Sequence, residues 1–171
     1  MNMIALDLDG VLRDLNHYMV AFYGGGYPSK WEWRYGGRDI CTAIEHSDAL
    51  IKSPPTDYFK HLLKYTDDHV ATIMSMQPLE WRPQTNAWIH KHMGHVDVIY
   101  FDTLVAKKSY VDSHPMFRLV EDYPYFNSYD NVILIDYPYN RNADAPVRVK
   151  DAVNLVLEIE RWLKSGQNKN N

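Results

Sequence analysis

The segment Met3-Ile4-Ala5-Leu6-Asp7-Leu8-Asp9-Gly10-Val11-Leu12 most restricts what this chain can become. A short apolar run ending in Asp-x-Asp and turning at a glycine reads as a buried strand that delivers two carboxylates to a sheet edge. In α/β enzymes that edge is where ligands bind. Residues two apart on a strand share a face. The turn at Gly10, however, makes Asp7 the end of the strand and Asp9 the head of the loop, so the two flank one small ligand. Neighbouring carboxylates repel, and a bound cation relieves the repulsion. Hard oxygen ligands favour Mg²⁺ or Ca²⁺. The chemistry suggested is metal-assisted phosphoryl transfer, against the plainer reading of a strand followed by an Asp-Gly turn.

The remaining pattern alternates helices with short apolar strands. Arg13 to Phe22 has helical spacing and stops at Gly24-Gly25-Gly26, read as a hinge or loop because neither a preceding strand nor a Lys-Ser/Thr pair makes it a phosphate loop. A second helical stretch runs from Asp39 to Ile51, and Ser53-Pro54-Pro55-Thr56 separates it from a helix carrying Tyr58, Phe59, Leu62 and Leu63. Strands follow at Val70–Met74, ending in Ser75, and at Val96–Phe101, Phe117–Val120 and Val132–Ile135. The intervening helices are Pro83–Met93, a short one through Tyr110 and Val111, and the amphipathic Asp151–Leu163. Five strands joined by helical crossovers predict an α/β fold: a three-layer, Rossmann-like parallel five-stranded sheet, with a small helical cap inserted after the first strand. The expected core is 1–14 with 54–165, the cap 15–53 and a flexible tail 166–171. At roughly 39 residues the cap is too small to be stable alone and must lean on the core.

Composition narrows the function. With 18 basic against 22 acidic residues and a formal charge of -4, the chain has no broad attraction for duplex nucleic acid, while a small phosphorylated substrate stays open. Cys41 is the only cysteine, which fits a reducing compartment. No apolar run approaches the roughly 18 residues that span a bilayer, and the first strand begins at Met3, so a cytoplasmic protein without membrane partners is expected. His90, His92 and His95 invite a metal reading, but residues two apart on a helix diverge by about 200° and do not chelate together.

Taken in order, the polar strand ends resemble the haloacid dehalogenase superfamily of phosphatases. Its first motif is matched by Asp7-Leu8-Asp9-Gly10-Val11-Leu12, its second by Ser75, its third by Lys107 or Lys108 and its fourth by Glu121-Asp122. The early cap and the segment Val132 to Arg141 are similar to those of 5'(3')-deoxyribonucleotidases and related bacterial or phage nucleotidases. Met76 after the motif-two hydroxyl and Glu121 in place of a first aspartate depart from that group.

The resemblance implies a Mg²⁺-dependent phosphomonoester hydrolase with Asp7 as nucleophile, forming an aspartyl-phosphate, and Asp9 as acid and base. Mg²⁺ would be held by Asp7, the Asp9 carbonyl and Asp122, with Ser75 and Lys107 on the phosphate oxygens and Glu121 orienting Lys107 or a water. Lys107 is preferred to Lys108 from its spacing to Glu121, and Asp136 is read as structural on an edge strand. Trp31, Trp33 and Tyr35, with Tyr27, either stack on a base or pack the cap. The expected substrate is a nucleoside monophosphate and the expected state a monomer or homodimer. Alternatives are a sugar phosphate, a nucleic-acid 3'-phosphate end, or a non-catalytic phosphate-binding module.

Overall fold

The computed structural model describes residues 1–68, 70–126 and 129–167; the expected tail residues Asn168–Asn171 lie outside these. Strands β1 (Met3–Leu6), β2 (Ala71–Met76), β3 (Val98–Phe101), β4 (Phe117–Glu121), β5 (Val132–Ile135) and β6 (Arg148–Val149) form one sheet in the order β3-β2-β1-β4-β5-β6. Every pairing is parallel. The sheet thus has six strands where the sequence suggested five. The sixth is two residues long, too short for an apolar run to reveal, and is recruited by Leu134 and Ile135 pairing with Arg148 and Val149. It also moves the edge, so Asp136 does not end an edge strand; its carboxylate takes Arg148 Nη1 at 2.6 Å.

Helices α1 (Leu15–Tyr23), α2 (Ile40–Glu45), α3 (Ala49–Lys52), α4 (Phe59–Asp67), α5 (Arg82–Met93), α6 (Leu104–Ser113) and α7 (Ala152–Gln167) complete the layers. Short polar side chains start several of them: Asp14 accepts from His17 N at 2.9 Å, Asp39 from Thr42 N at 3.0 Å, and Thr103 from Ala106 N at 3.2 Å. The single helix expected over Asp39 to Ile51 is two, because His46 ends the first and Ser47 and Asp48 restart the chain. Helix α7 runs past the expected boundary at 165, with Asn2 Nδ2 donating to Trp162 O at 2.8 Å and Ser165 Oγ at 3.0 Å.

Strand periodicity divides the core. Ile4 and Leu6 point into a cluster with Leu62, Trp88, Leu155 and Ile159 from α4, α5 and α7. Ala5 points to the other face with Met74, Val111, Leu119 and Phe126. Between α1 and Ser53 the chain builds a third cluster of its own, around Met19, Tyr35, Ile44 and Leu50.

Two backbone segments tie this insertion to the sheet. Asp14 N donates to Pro54 O at 2.7 Å, Thr56 N to Leu12 O at 2.9 Å and Thr56 Oγ1 to Val11 O at 2.6 Å. Trp88, fully buried on α5, donates its indole N–H to Ser53 O at 2.7 Å. Trp88→Phe keeps an aromatic ring but loses the indole N–H and strands that carbonyl, and urea unfolding is expected to show a loss of about 1–3 kcal/mol.

Candidate active site

The site grows from the register of the central strands. Leu6 lies opposite Val120, so the next pair along β1 and β4 is Asp7 and Glu121. Asp7 shares its face with Ala5, and Glu121 shares that face with Leu119. Helix α6 covers the same face. Lys107 and Val111, one turn apart, are both buried on its inner side. Lys107 Nζ therefore donates to Asp7 Oδ1 and, at 2.7 Å, to Glu121 Oε2. The adjacent Lys108 is turned about 100° round the helix. Its ammonium lies 5.5 Å from the Phe126 ring and 5.4 Å from Tyr129, and among the described residues it pairs with none of the carboxylates.

Asp122 completes the cluster. Its Oδ2 accepts from Tyr139 Oη at 2.5 Å, and its backbone carbonyl accepts from Asn140 Nδ2 at 2.7 Å. A side chain at Gly10, whose φ is 85°, would overlap the Asp122 carboxylate, so the turn after Asp9 has to be glycine for both conformational and steric reasons. The Glu121 Oε1 oxygen accepts from the backbone N–H of Asp122 at 3.1 Å and Tyr123 at 3.2 Å.

Electrostatically the cluster is overcharged. Burial first, and Glu121's charge second, push the Asp7 carboxyl up to about 8, with Lys107 opposing the rise. Asp122 is driven well above the usual carboxylate range by burial and by Glu121 and Asp7. Burial alone would lower the Lys107 ammonium, but Asp7 and Glu121 outweigh it and raise it. Three buried carboxylates thus crowd together with one ammonium, which binds two of them, Asp7 and Glu121. Among the described residues, Asp7, Glu121 and Asp122 offer oxygen atoms all within 4.8 Å of one another. An all-oxygen set with surplus negative charge fits a hard divalent cation.

Asp9 is held differently. Arg13, fully buried, forks onto it with Nε at 2.6 Å from Oδ1 and Nη2 at 3.0 Å from Oδ2, while Gln77 Nε2 reaches Oδ2 at 3.3 Å. The Asp9 carboxylate stands outside the carboxylate cluster but borders a cavity of about 60 Å³ shared with Gly10, Asp122, Lys30, Trp31 and Tyr139. Ser75 is buried at the end of β2, and among the described residues no hydrogen bond joins it to Asp7, Lys107 or Asp122.

The aromatic residues of the insertion separate. Tyr35 is 2% exposed, donates to Asn16 and belongs to the insertion's own core, with Trp33 packed against it. Trp31 instead sets its ring 4.4 Å from Tyr123 and 5.7 Å from Tyr139, over the acidic strand end.

No protein-family model matches the chain, and none of the curated proteins does. Solved structures do. A haloacid dehalogenase-like family hydrolase from Xanthomonas campestris superposes with a TM-score of 0.54 at 11% identity, covering 98% of this chain and 98% of its own. A proposed phosphoglycolate phosphatase from Lactobacillus delbrueckii subsp. bulgaricus gives 0.55 at 11% identity, covering 92% and 98% respectively. The fold is haloacid dehalogenase-like.

Within that fold, sequence reasoning assigned no site role to Arg13 or Gln77, nor to Tyr137, Tyr139 and Asn140, although these three fall in the resembling segment Val132 to Arg141. Tyr137 Oη donates to Gly10 O at 2.8 Å, and Asn140 Nδ2 also reaches Ile135 O at 2.8 Å, so the Tyr-Pro-Tyr-Asn turn buttresses both acidic loops. Arg13 had a readable signal, a lone cation between Leu12 and Leu15 that must find a partner when its neighbours are buried.

If the acidic cluster holds a divalent cation, Mg²⁺ at about 100 times its Kd adds about 2.7 kcal/mol to folding, a rise of about 5–10 °C in Tm for a domain this size. Asp122→Asn is expected to remove that rise, while its metal-free form is at least as stable as the metal-free wild type because one buried like charge is gone. Differential scanning calorimetry with Mg²⁺ and with EDTA checks both outcomes.

Proposed function

We propose that this chain is a Mg²⁺-dependent phosphomonoester hydrolase working through an aspartyl-phosphate. The observation that carries the reading is the buried Lys107 ammonium clamped between Asp7 and Glu121, with Asp122 alongside, at the C-terminal ends of the two central strands. A carboxylate, a fixed cation and an acidic oxygen set at one strand end are the parts that phosphoryl transfer to an enzyme carboxylate requires.

An Asp7 oxygen attacks phosphorus, the P–O ester bond breaks, and the leaving oxygen takes a proton from Asp9. Water then attacks the acyl phosphate and returns a proton to Asp9, freeing phosphate and regenerating Asp7. Lys107 neutralises charge on the phosphoryl oxygens, Ser75 donates to one of them, and Glu121 keeps Lys107 in place. Held by Asp7, Asp122 and the Asp9 carbonyl, Mg²⁺ would offset the repulsion between Asp7 and the anionic phosphate.

For the substrate, the favoured reading is a nucleoside monophosphate, with residues 15–53 acting as a cap and Trp31 as a base-stacking surface beside Tyr139. One observation favours a second reading. The cavity of about 60 Å³ is far below the roughly 300–1,000 Å³ of a typical small-molecule site. A nucleotide therefore requires the cap to lift, whereas a small phosphomonoester of the phosphoglycolate or sugar phosphate kind asks for less movement.

Assay of the purified protein on nucleoside monophosphates, sugar phosphates and phosphoglycolate, with and without EDTA, tests both. Turnover that needs Mg²⁺ and vanishes in a folded Asp7→Asn variant is expected. Binding of nucleotide without turnover by the wild type would instead make the chain a phosphate-binding module. Trp31→Ala is expected to raise KM for a nucleoside monophosphate about tenfold, in line with loss of one stacked base, and to leave an aryl phosphate unchanged. Equal effects on the two would assign Trp31 to packing.

A further inference from the structure

Arg13 sits where the insertion leaves the sheet. Its backbone lies on the paired hinge segments, forming isolated bridges with Asp9 and with Pro55. Its side chain, fully buried, makes three sets of contacts. Nε and Nη2 fork onto both Asp9 oxygens, Nη1 donates to Leu50 O of α3 at 2.6 Å, and Nη1 also reaches Thr85 Oγ1 of α5 at 3.3 Å. The guanidinium carbon stands 5.7 Å from the Trp88 ring centroid, and Trp88 in turn holds Ser53 O. Thr85 Oγ1 donates to Gln77 Oε1 at 2.8 Å, and Gln77 Nε2 returns to Asp9 Oδ2, so the network closes on itself.

A planar guanidinium fork fixes a carboxylate in both position and plane, which a single ammonium does not. Each carboxylate oxygen has two lone-pair sites; Arg13 and Gln77 together take both on Oδ2, and the fork takes one on Oδ1, so the free site on Oδ1 is left for the cavity that Asp9 borders. The third donor is spent on a carbonyl of the insertion. Lifting α3 away from the sheet would pull on the same rigid plane that aims Asp9.

We infer that Arg13 is a positioning residue that couples the seating of residues 15–53 to the aim of Asp9, so that the acid–base group is correctly directed only when the insertion is down. This rests on the phosphatase reading of the site. Aim matters most where the leaving oxygen is a poor leaving group and has to receive a proton as the bond breaks. A nitrophenolate needs little such help.

The experiment compares Arg13→Lys, which keeps the charge and loses the fork, with wild type on an alkyl phosphomonoester and on p-nitrophenyl phosphate. Arg13→Lys is expected to lower kcat on the alkyl ester about 100-fold and on p-nitrophenyl phosphate less than about fivefold, with KM for both little changed. Thr85→Val, nearly isosteric and at the far end of the network, is expected to shift the ratio of the two kcat values in the same direction by a smaller factor. It carries the test if Arg13→Lys does not fold. An unchanged ratio in the folded variants, whether both activities fall together or neither falls, overturns the coupling and assigns Arg13 to structure. A wild type inactive on both esters overturns the phosphatase reading and this role with it.

Discussion

The buried pairing of Lys107 with Asp7 and Glu121 is the constraint around which the rest of this structure is arranged. Removing an ion from water costs several kcal/mol even in a real protein interior, and stripping one partner from a buried pair costs about 3–5 kcal/mol. Three elements must therefore arrive together. β1 and β4 have to pair in the register that sets Asp7 beside Glu121, and α6 has to present Lys107 rather than Lys108 to their common face. A shift of either strand by one residue would turn one carboxylate to the opposite face and leave Lys107 short of a partner. The network is thus a register lock for the central sheet. It stays electrostatically incomplete, because one ammonium faces three carboxylates, and that deficit is where a divalent cation fits.

Around this lock the acidic loops are braced from behind by neutral groups. Asn140 binds the carbonyls of Asp122 and Ile135, Tyr137 binds Gly10 O, and Tyr139 donates to the Asp122 carboxylate. Each brace fixes a loop without adding negative charge. That is the arrangement a site needs if its carboxylates are to receive a cation and then an anionic phosphate. Asp9 is braced by a cation instead, and the Arg13 side chain that braces it also holds a carbonyl of the insertion.

How much of this was legible in the sequence follows from the range of each signal. The sheet and its acidic ends were readable because short continuous apolar runs mark strands buried on both faces and the polar residues that end them are conspicuous. Asp7, Lys107, Glu121 and Asp122 do converge, although only the register and the inward face of α6 distinguish Lys107 from Lys108. The sixth strand escaped because Arg148–Val149 is defined by what it pairs with, not by its own pattern. The break between α2 and α3 escaped because the apolar positions of two short helices kept nearly continuous spacing across Ser47. Arg13 and Gln77 escaped for a different reason. Their partners include Asp9, Leu50 and Thr85, and the longest of these links joins residues 72 positions apart, which no local window relates.

The same division explains why the reaction class is easier to read than the substrate. Chemistry in this fold sits on strand ends, where sequence period and sheet register fix positions to within a hydrogen bond. Trp31, Lys30 and Tyr139, which line the cavity beside Asp9 and Asp122, lie on segments with no shared register, and their spacing is set by how far residues 15–53 stand from the sheet. In the described arrangement that gap is about 60 Å³, well below the roughly 300–1,000 Å³ of a typical small-molecule site. On the proposed reading, a larger substrate would displace residues 15–53 further, and that displacement would act on the carbonyl that Arg13 holds. A ligand large enough to keep α3 raised would leave Asp9 without its full support. Selection against an oversized leaving group would then operate at proton transfer as well as at binding, since both depend on the same hinge.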